Sequence, residues 1–219
     1  MNYLKNETNI EFKEDTIFDN ITRFPEYNIK IHKGVKIMSG TKIMEGVVIR
    51  DNVIIGHNCI IGNNSLIRND VILGDKVKIG FSNSIETSAK IGDGTTTQGF
   101  CMISEFSVIG KNVFLAPMFN NPADRDCARF EGDYKPKPAS IGDNVRIGSN
   151  VKLKPNIHIG NNAFIWMCAV VTKNVPENEE WAGFPAKKVE KTKNNNGNRT
   201  LANPLADSDI QVEIKGGGY

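Results

Sequence analysis

Residues 49–73 read IRDNVI IGHNCI IGNNSL IRNDVI L when parsed in sixes, and that phase organises most of the chain. An aliphatic residue opens each hexad. The series runs from Ile31 in steps of six through Ile37, Ile43 and onward to Ile91, then Ile103, Ile109 and Leu115, with Thr97 as its lapse. It resumes at Ile141 and continues through Ile147, Leu153, Ile159, Ile165 and Val171. Of these 21 hexads, 20 carry Ile, Leu or Val at the first position, so the period is strict enough to override local propensity. Fifth positions such as Val35, Thr41, Val53, Cys59, Ser65, Val71, Ala89, Val113, Val145 and Ala163 are small or β-branched. Each lies two residues before the next aliphatic position, so both side chains share one face of a short strand and point inward. At the fourth position 14 of 21 residues are Gly, Asn or Asp, the types that accept positive φ, which predicts a sharp corner after each strand. Three strands and three corners per turn make a triangular prism filled by aliphatic side chains, a parallel β-solenoid of about seven coils. An antiparallel sandwich would need longer alternating strands and turns without fixed phase.

Length and composition point to one domain with appendages. Basic residues (27) barely exceed acidic ones (25) and are scattered, which argues against nucleic acid or a membrane surface as partner. No stretch approaches the length of apolar residues needed for a membrane span or a signal peptide, so the expected location is the cytoplasm. The cysteines, Cys59, Cys101, Cys127 and Cys168, form no CxxC pair and are expected as reduced thiols. The boundaries that follow are an N-terminal cap over 1–30, the solenoid over 31–176 with an external excursion at 116–140, and a C-terminal arm and tail over 177–219. The alternating stretch Ile210–Ile214 reads as one further strand.

The hexads IIGHNC, IIGNNS, LGDKVK, IGDNVR and IGSNVK carry a resemblance to the hexapeptide-repeat acyltransferases, whose motif is Ile-Gly-x-x-small-x, over about residues 31–190. The resemblance implies left-handed coiling, since ordinary parallel crossovers are right-handed. It also implies an acetyl-CoA-dependent acetyltransferase, a homotrimer with active sites between subunits, and an excursion that walls the site. The segment VPENEEWAGFPAKK is similar to the family's closing segment beside coenzyme A, which implies cofactor-binding roles for Phe184, Pro185, Lys187 and Lys188. Ser149, Lys152, Trp166 and Cys168 are expected along the same groove, with Trp166-Met167-Cys168 standing where the family has Gly-Ala-Gly.

The excursion contains FNNPADRD, similar to the loop of members that acetylate nucleotide-linked amino sugars. By that resemblance Phe119, Asn120, Arg125 and Tyr134 bind substrate, while Asn121 and Asp124 are catalytic beside His158. The acceptor implied is a nucleotide-linked, dTDP-type amino-dideoxyhexose, its amine attacking the thioester directly. The histidines are His32, His57 and His158, and the excursion has none, which disfavours O-acetylation. Their spacing does not make the three-histidine zinc site of a carbonic anhydrase of this fold, so no metal is expected. A non-catalytic scaffold is the remaining rival.

Overall fold

The structure is a computed structural model that describes residues 10–11, 16–18, 22–24, 28–125, 127–128, 131–193 and 199–201. Two-residue strands repeat every six residues and stack in register 18 residues apart, for example Leu66↔Ser84 and Ile67↔Ile85. They build three parallel sheets that form the sides of a prism. Face 1 runs from Ile29–Ile31 to Val170–Val171, face 2 from Val35–Ile37 to His158–Ile159, and face 3 from Lys42–Ile43 to Glu180–Gly183. Among the described residues there is no α-helix, and so none long and apolar enough to cross a membrane.

Each expected inward pair is buried. The aliphatic positions from Ile31 to Val171 and the fifth positions between them form one continuous core cluster. A fully buried Ile or Leu contributes about 1.5–3 kcal/mol of hydrophobic stabilisation, so the stack is the main favourable term. The fourth positions take left-handed φ in every hexad but the last, at Gly34, Asn52, Asp70 and Asn144 as at the bulky Phe100, Phe106 and Met118, while Asn174 does not. Glycine after the aliphatic residue has a separate cause. A Cβ on Gly62 would lie 2.6 Å from the carbonyl carbon of Gly80 one coil on, so the coils could not approach.

Two features depart from the sequence reading. The solenoid has about eight turns rather than seven, because the hexad of Asn121 belongs to the prism and Glu180–Gly183 adds a rung to face 3. The excursion therefore does not begin at 116. The chain runs through a strand at Asn120–Asn121, leaves after it, and returns at Ala139 before Ser140–Ile141. The N-terminal strands Ile10–Glu11, Thr16–Phe18 and Thr22–Phe24 add one antiparallel edge to faces 3, 2 and 1 respectively. At the other end Glu180–Gly183 reverses into Ala186–Lys188. The expected strand at Ile210–Ile214 lies outside the described residues.

The lapse at Thr97 has a physical reason. Its Oγ1 accepts from Gly80 N at 3.1 Å and from Asn83 Nδ2 at 3.0 Å inside the prism. Thr97→Val completes the aliphatic series but strands those two donors, and denaturant melts should show a loss of about 1–3 kcal/mol. Burial pushes the Cys101 thiol up to about 11 and raises Cys59 as well, whereas Cys127 and Cys168 are exposed. An aromatic disulfide reagent at pH 8 should thus titrate only Cys127 and Cys168 in the folded protein and all four thiols after unfolding.

Candidate functional site

Three edges separate the faces, and the expected site residues distribute over them unequally. The edge between faces 3 and 1 is built from corners one coil apart. Ser149 lies in one corner and Trp166 and Cys168 in the next, with Cys168 N donating to Ser149 O at 2.9 Å. Lys152 opens face 1 directly beyond Ser149, and its Nζ donates to Met118 O at 3.3 Å on the same edge. Asn120 stands in register with Lys152 on the outside of face 1. The structure thus brings Ser149, Lys152, Trp166, Cys168 and Asn120 onto one stretch of surface.

Trp166 fills a corner position where Gly62, Gly80 and Gly148 stand in earlier coils. Met44, Gln98 and Ala116 fill the same position in other coils, so a side chain there is compatible with stacking. Its ring meets Phe164 edge-on at 5.0 Å, and Arg146 lies 5.5 Å over Phe164. The indole N–H is buried and has no hydrogen-bond partner. A buried donor without an acceptor costs about 1–3 kcal/mol. The terminal hairpin lies just beyond. Lys188 pairs with Glu179 at 2.5 Å, Trp181 Nε1 donates to Glu179 at 2.8 Å, and these bonds hold the Glu179 carboxyl below its ordinary range. Lys187, Pro185 and Phe184 are exposed around the reversal, Phe184 at 80%.

The excursion leaves from the edge between faces 1 and 2. Asp124 Oδ2 accepts from Ala128 N at 2.6 Å, and Lys137 N donates to Ala123 O at 2.8 Å, so the excursion is internally bonded. Arg125 is exposed on it. The Tyr134 hydroxyl donates to Glu105 at the corner one coil earlier. Desolvation first, then that carboxylate, pushes the phenol up to about 12, so it remains a donor across neutral pH.

Two expectations are corrected. Phe119 and Asn121 point into the prism and are fully buried, so neither reaches a substrate. Asn121 takes the inward first position of its hexad, and its amide is consumed by Ser107 Oγ and by both the N–H and the carbonyl of Ala139. A catalytic role for Asn121 and direct substrate contact for Phe119 are excluded by that geometry.

His158 sits outside face 2, which lies opposite the edge that carries Trp166. Its Nδ1 is 2.9 Å from Ser140 Oγ, and its backbone N–H donates to Asn174. The Ser140 contact orients the imidazole, but one chain holds it across the prism from Ser149 and Trp166. Among the described residues no three His, Cys, Asp or Glu side chains converge as a metal-binding group. Sequence reading missed Ser140 and the Arg146–Phe164 contact, although a spacing of 18 residues, one full coil, pairs each of them with its neighbour. Nothing in the sequence signals Glu105 as the partner of Tyr134, because the excursion sets that approach.

The family profile described as bacterial transferase hexapeptide (six repeats) matches residues 138–173, and that of the GMPPB C-terminal domain matches residues 31–119. The first of these places hexapeptide repeats of the bacterial transferase type at residues 138–173. The galactoside O-acetyltransferase of Escherichia coli is 34% identical over 94 residues, 40% of this chain and 46% of that protein. The bifunctional protein GlmU of Listeria monocytogenes is 37% identical over 102 residues, 46% of this chain and 20% of that protein. An Arabidopsis UDP-N-acetylglucosamine acyltransferase structure aligns at 19% identity with a TM-score of 0.46, covering 73% of this chain and 65% of that one. The chain spans less than half the length of the curated relatives it matches.

Trp166→Phe keeps the contact with Phe164 and removes the stranded donor. Its unfolding free energy should equal that of the wild type or exceed it by up to about 1 kcal/mol. A clear loss in denaturant melts would mean that the indole N–H is partnered in the free protein.

Proposed function

We propose that this chain is an acetyltransferase that moves an acetyl group from acetyl-CoA to the amine of a nucleotide-linked amino sugar, of the dTDP-linked amino-dideoxyhexose type. It does so as a cytoplasmic homotrimer and without a metal ion. One observation carries the reading: Ser149, Lys152, Trp166 and Cys168 share one edge over two successive coils, beside an indole N–H that lacks an acceptor. The extended arm of coenzyme A is an amide chain that can supply such acceptors, and Lys187 and Lys188 beyond it suit phosphate. Names of relatives add support, since the Escherichia coli protein that matches is a galactoside O-acetyltransferase.

In this reading the neutral amine attacks the thioester carbonyl, the oxygen gains charge, and the C–S bond breaks to release the thiolate. The amine proton leaves to a base or to the departing sulfur, so amide and thiol are the products. Asn120, Asp124, Arg125 and Tyr134 remain the candidates for holding the sugar nucleotide. His158 is the candidate base, and it meets the coenzyme edge only if a neighbouring copy supplies it, which favours an active site between subunits. The bulky apolar residues Phe81, Phe100 and Met118, each at least half exposed on the coenzyme edge, suit such a contact.

A second reading, O-acetylation of a sugar hydroxyl, is favoured by the named relative and by the Ser140–His158 pair, since a hydroxyl needs a base more than an amine does. Coenzyme A should bind in calorimetry and bind more weakly to Trp166→Phe, and no detectable binding would remove the enzyme reading in favour of a scaffold. Thiol release with a panel of amino and hydroxyl sugars should be fastest with a nucleotide amino sugar, and a hydroxyl acceptor in first place would select the second reading. His158→Asn should lower kcat by about 10²-fold or more if the imidazole accepts the proton. An unchanged rate would take it out of the site.

A further inference from the structure

The buried polar residues of this prism are spread over its edges and faces, and their purpose becomes clear at the excursion. In some corners the N–H of the fifth hexad position bonds the carbonyl three residues earlier, as in Ser107 N→Ser104 O at 3.3 Å and Ala163 N→Gly160 O at 3.3 Å. Elsewhere a buried side chain one coil earlier accepts it: Thr41 Oγ1 from Cys59 N, Ser65 Oγ from Asn83 N, Asn83 Oδ1 from Cys101 N and Thr95 Oγ1 from Val113 N. Ala139 occupies this position where the chain returns from the excursion, and the residue three before it, Pro136, still belongs to the excursion. Its N–H goes to Asn121 Oδ1 at 3.1 Å instead. The same amide donates to Ala139 O at 3.0 Å and to Ser107 Oγ at 3.1 Å. All three residues are fully buried.

We infer that Asn121 is a positioning residue that clamps the mouth of the excursion, holding the departing strand of face 1 to the returning strand of face 2. The clamp takes the place of the corner that the insertion removed. It makes the base of the excursion as rigid as a continuous coil, so that Asp124, Arg125 and Tyr134 are carried on a fixed platform. Two contacts extend the platform: Asn156 N donates to Lys137 O at 2.7 Å, and Tyr134 donates to Glu105. An aliphatic residue at position 121 would satisfy the hexad pattern yet leave both backbone groups of Ala139 buried without partners. Selection for packing alone does not explain asparagine there.

The test compares Asn121→Val with Asn83→Val, a second buried amide that lies at the edge between faces 3 and 1, two coils before the excursion. Limited digestion reads the excursion directly, by trypsin after Arg125 and chymotrypsin after Tyr134. Asn121→Val should raise these cleavage rates by about tenfold or more while Asn83→Val changes them less than about twofold, because only the first opens the region locally. Wild-type cleavage rates in a folded Asn121→Val would overturn the clamp, as would equal acceleration in both variants. Should Asn121→Val fail to fold, amide exchange in the wild-type protein decides: protection of Ala139 equal to that of Ala163 supports the clamp, and exchange at the rate of the excursion overturns it. A functional arm rests on the proposal that the excursion walls the acceptor site. There, Asn121→Val should raise the acceptor KM and leave the coenzyme KM unchanged. Faster cleavage with both constants unchanged would sustain the clamp and sink that proposal instead.

Discussion

The structure depends on backbone hydrogen bonds that join each two-residue strand to the strand 18 residues away. Strands this short hold no stability of their own, and each survives because it is sandwiched in a column. For the columns to stay in phase, the chain must turn by the same amount every six residues. That demand puts φ near +60° at corner after corner and limits the residue after each aliphatic to one that lets the next coil approach. The aliphatic stack supplies the free energy, but the corner geometry decides that there is a prism for it to fill.

The same demand explains the polar residues inside. Thr41, Ser65, Asn83, Thr95, Thr97 and Asn121 are buried in a core that could have been wholly aliphatic. They take up corner N–H and C=O groups that strand pairing leaves over, and in doing so they bind one coil to the next by side chain as well as by backbone. Unpaired groups at those corners would be costly in so dry an interior. Asn121 is the extreme case, since its amide replaces a corner that the sequence interrupts.

In the proposed reading, function is confined to the outside of this scaffold, at edges where regularity is broken. Trp166 and Cys168 occupy the last corner before the chain reverses, and the excursion starts where one corner is replaced by a longer path. His158 and the Trp166 corner lie on opposite sides of one prism, so any chemistry that uses both requires a second copy. The apolar side chains at Phe81, Phe100 and Met118 are distributed along the edge where such a copy would meet the first.

Periodicity in the sequence was sufficient for the fold. Position one of each hexad, the small fifth position and the Gly/Asn/Asp corners dictated strand, inward face and turn without any distant contact, because every interaction repeats locally with the same spacing. Ser149, Lys152, Trp166 and Cys168 were singled out by the family resemblance, and the hexad phase puts them along one edge. The places of Asn121 and Phe119 were not legible, since an asparagine beside a proline in a polar stretch reads as exposed loop, and only the coil above and the returning strand show that it continues the inward series. Tertiary structure alone decided where the excursion leaves and that Tyr134 reaches Glu105. Those relations depend on how an aperiodic segment closes in space, and a repeat carries no information about its own interruption.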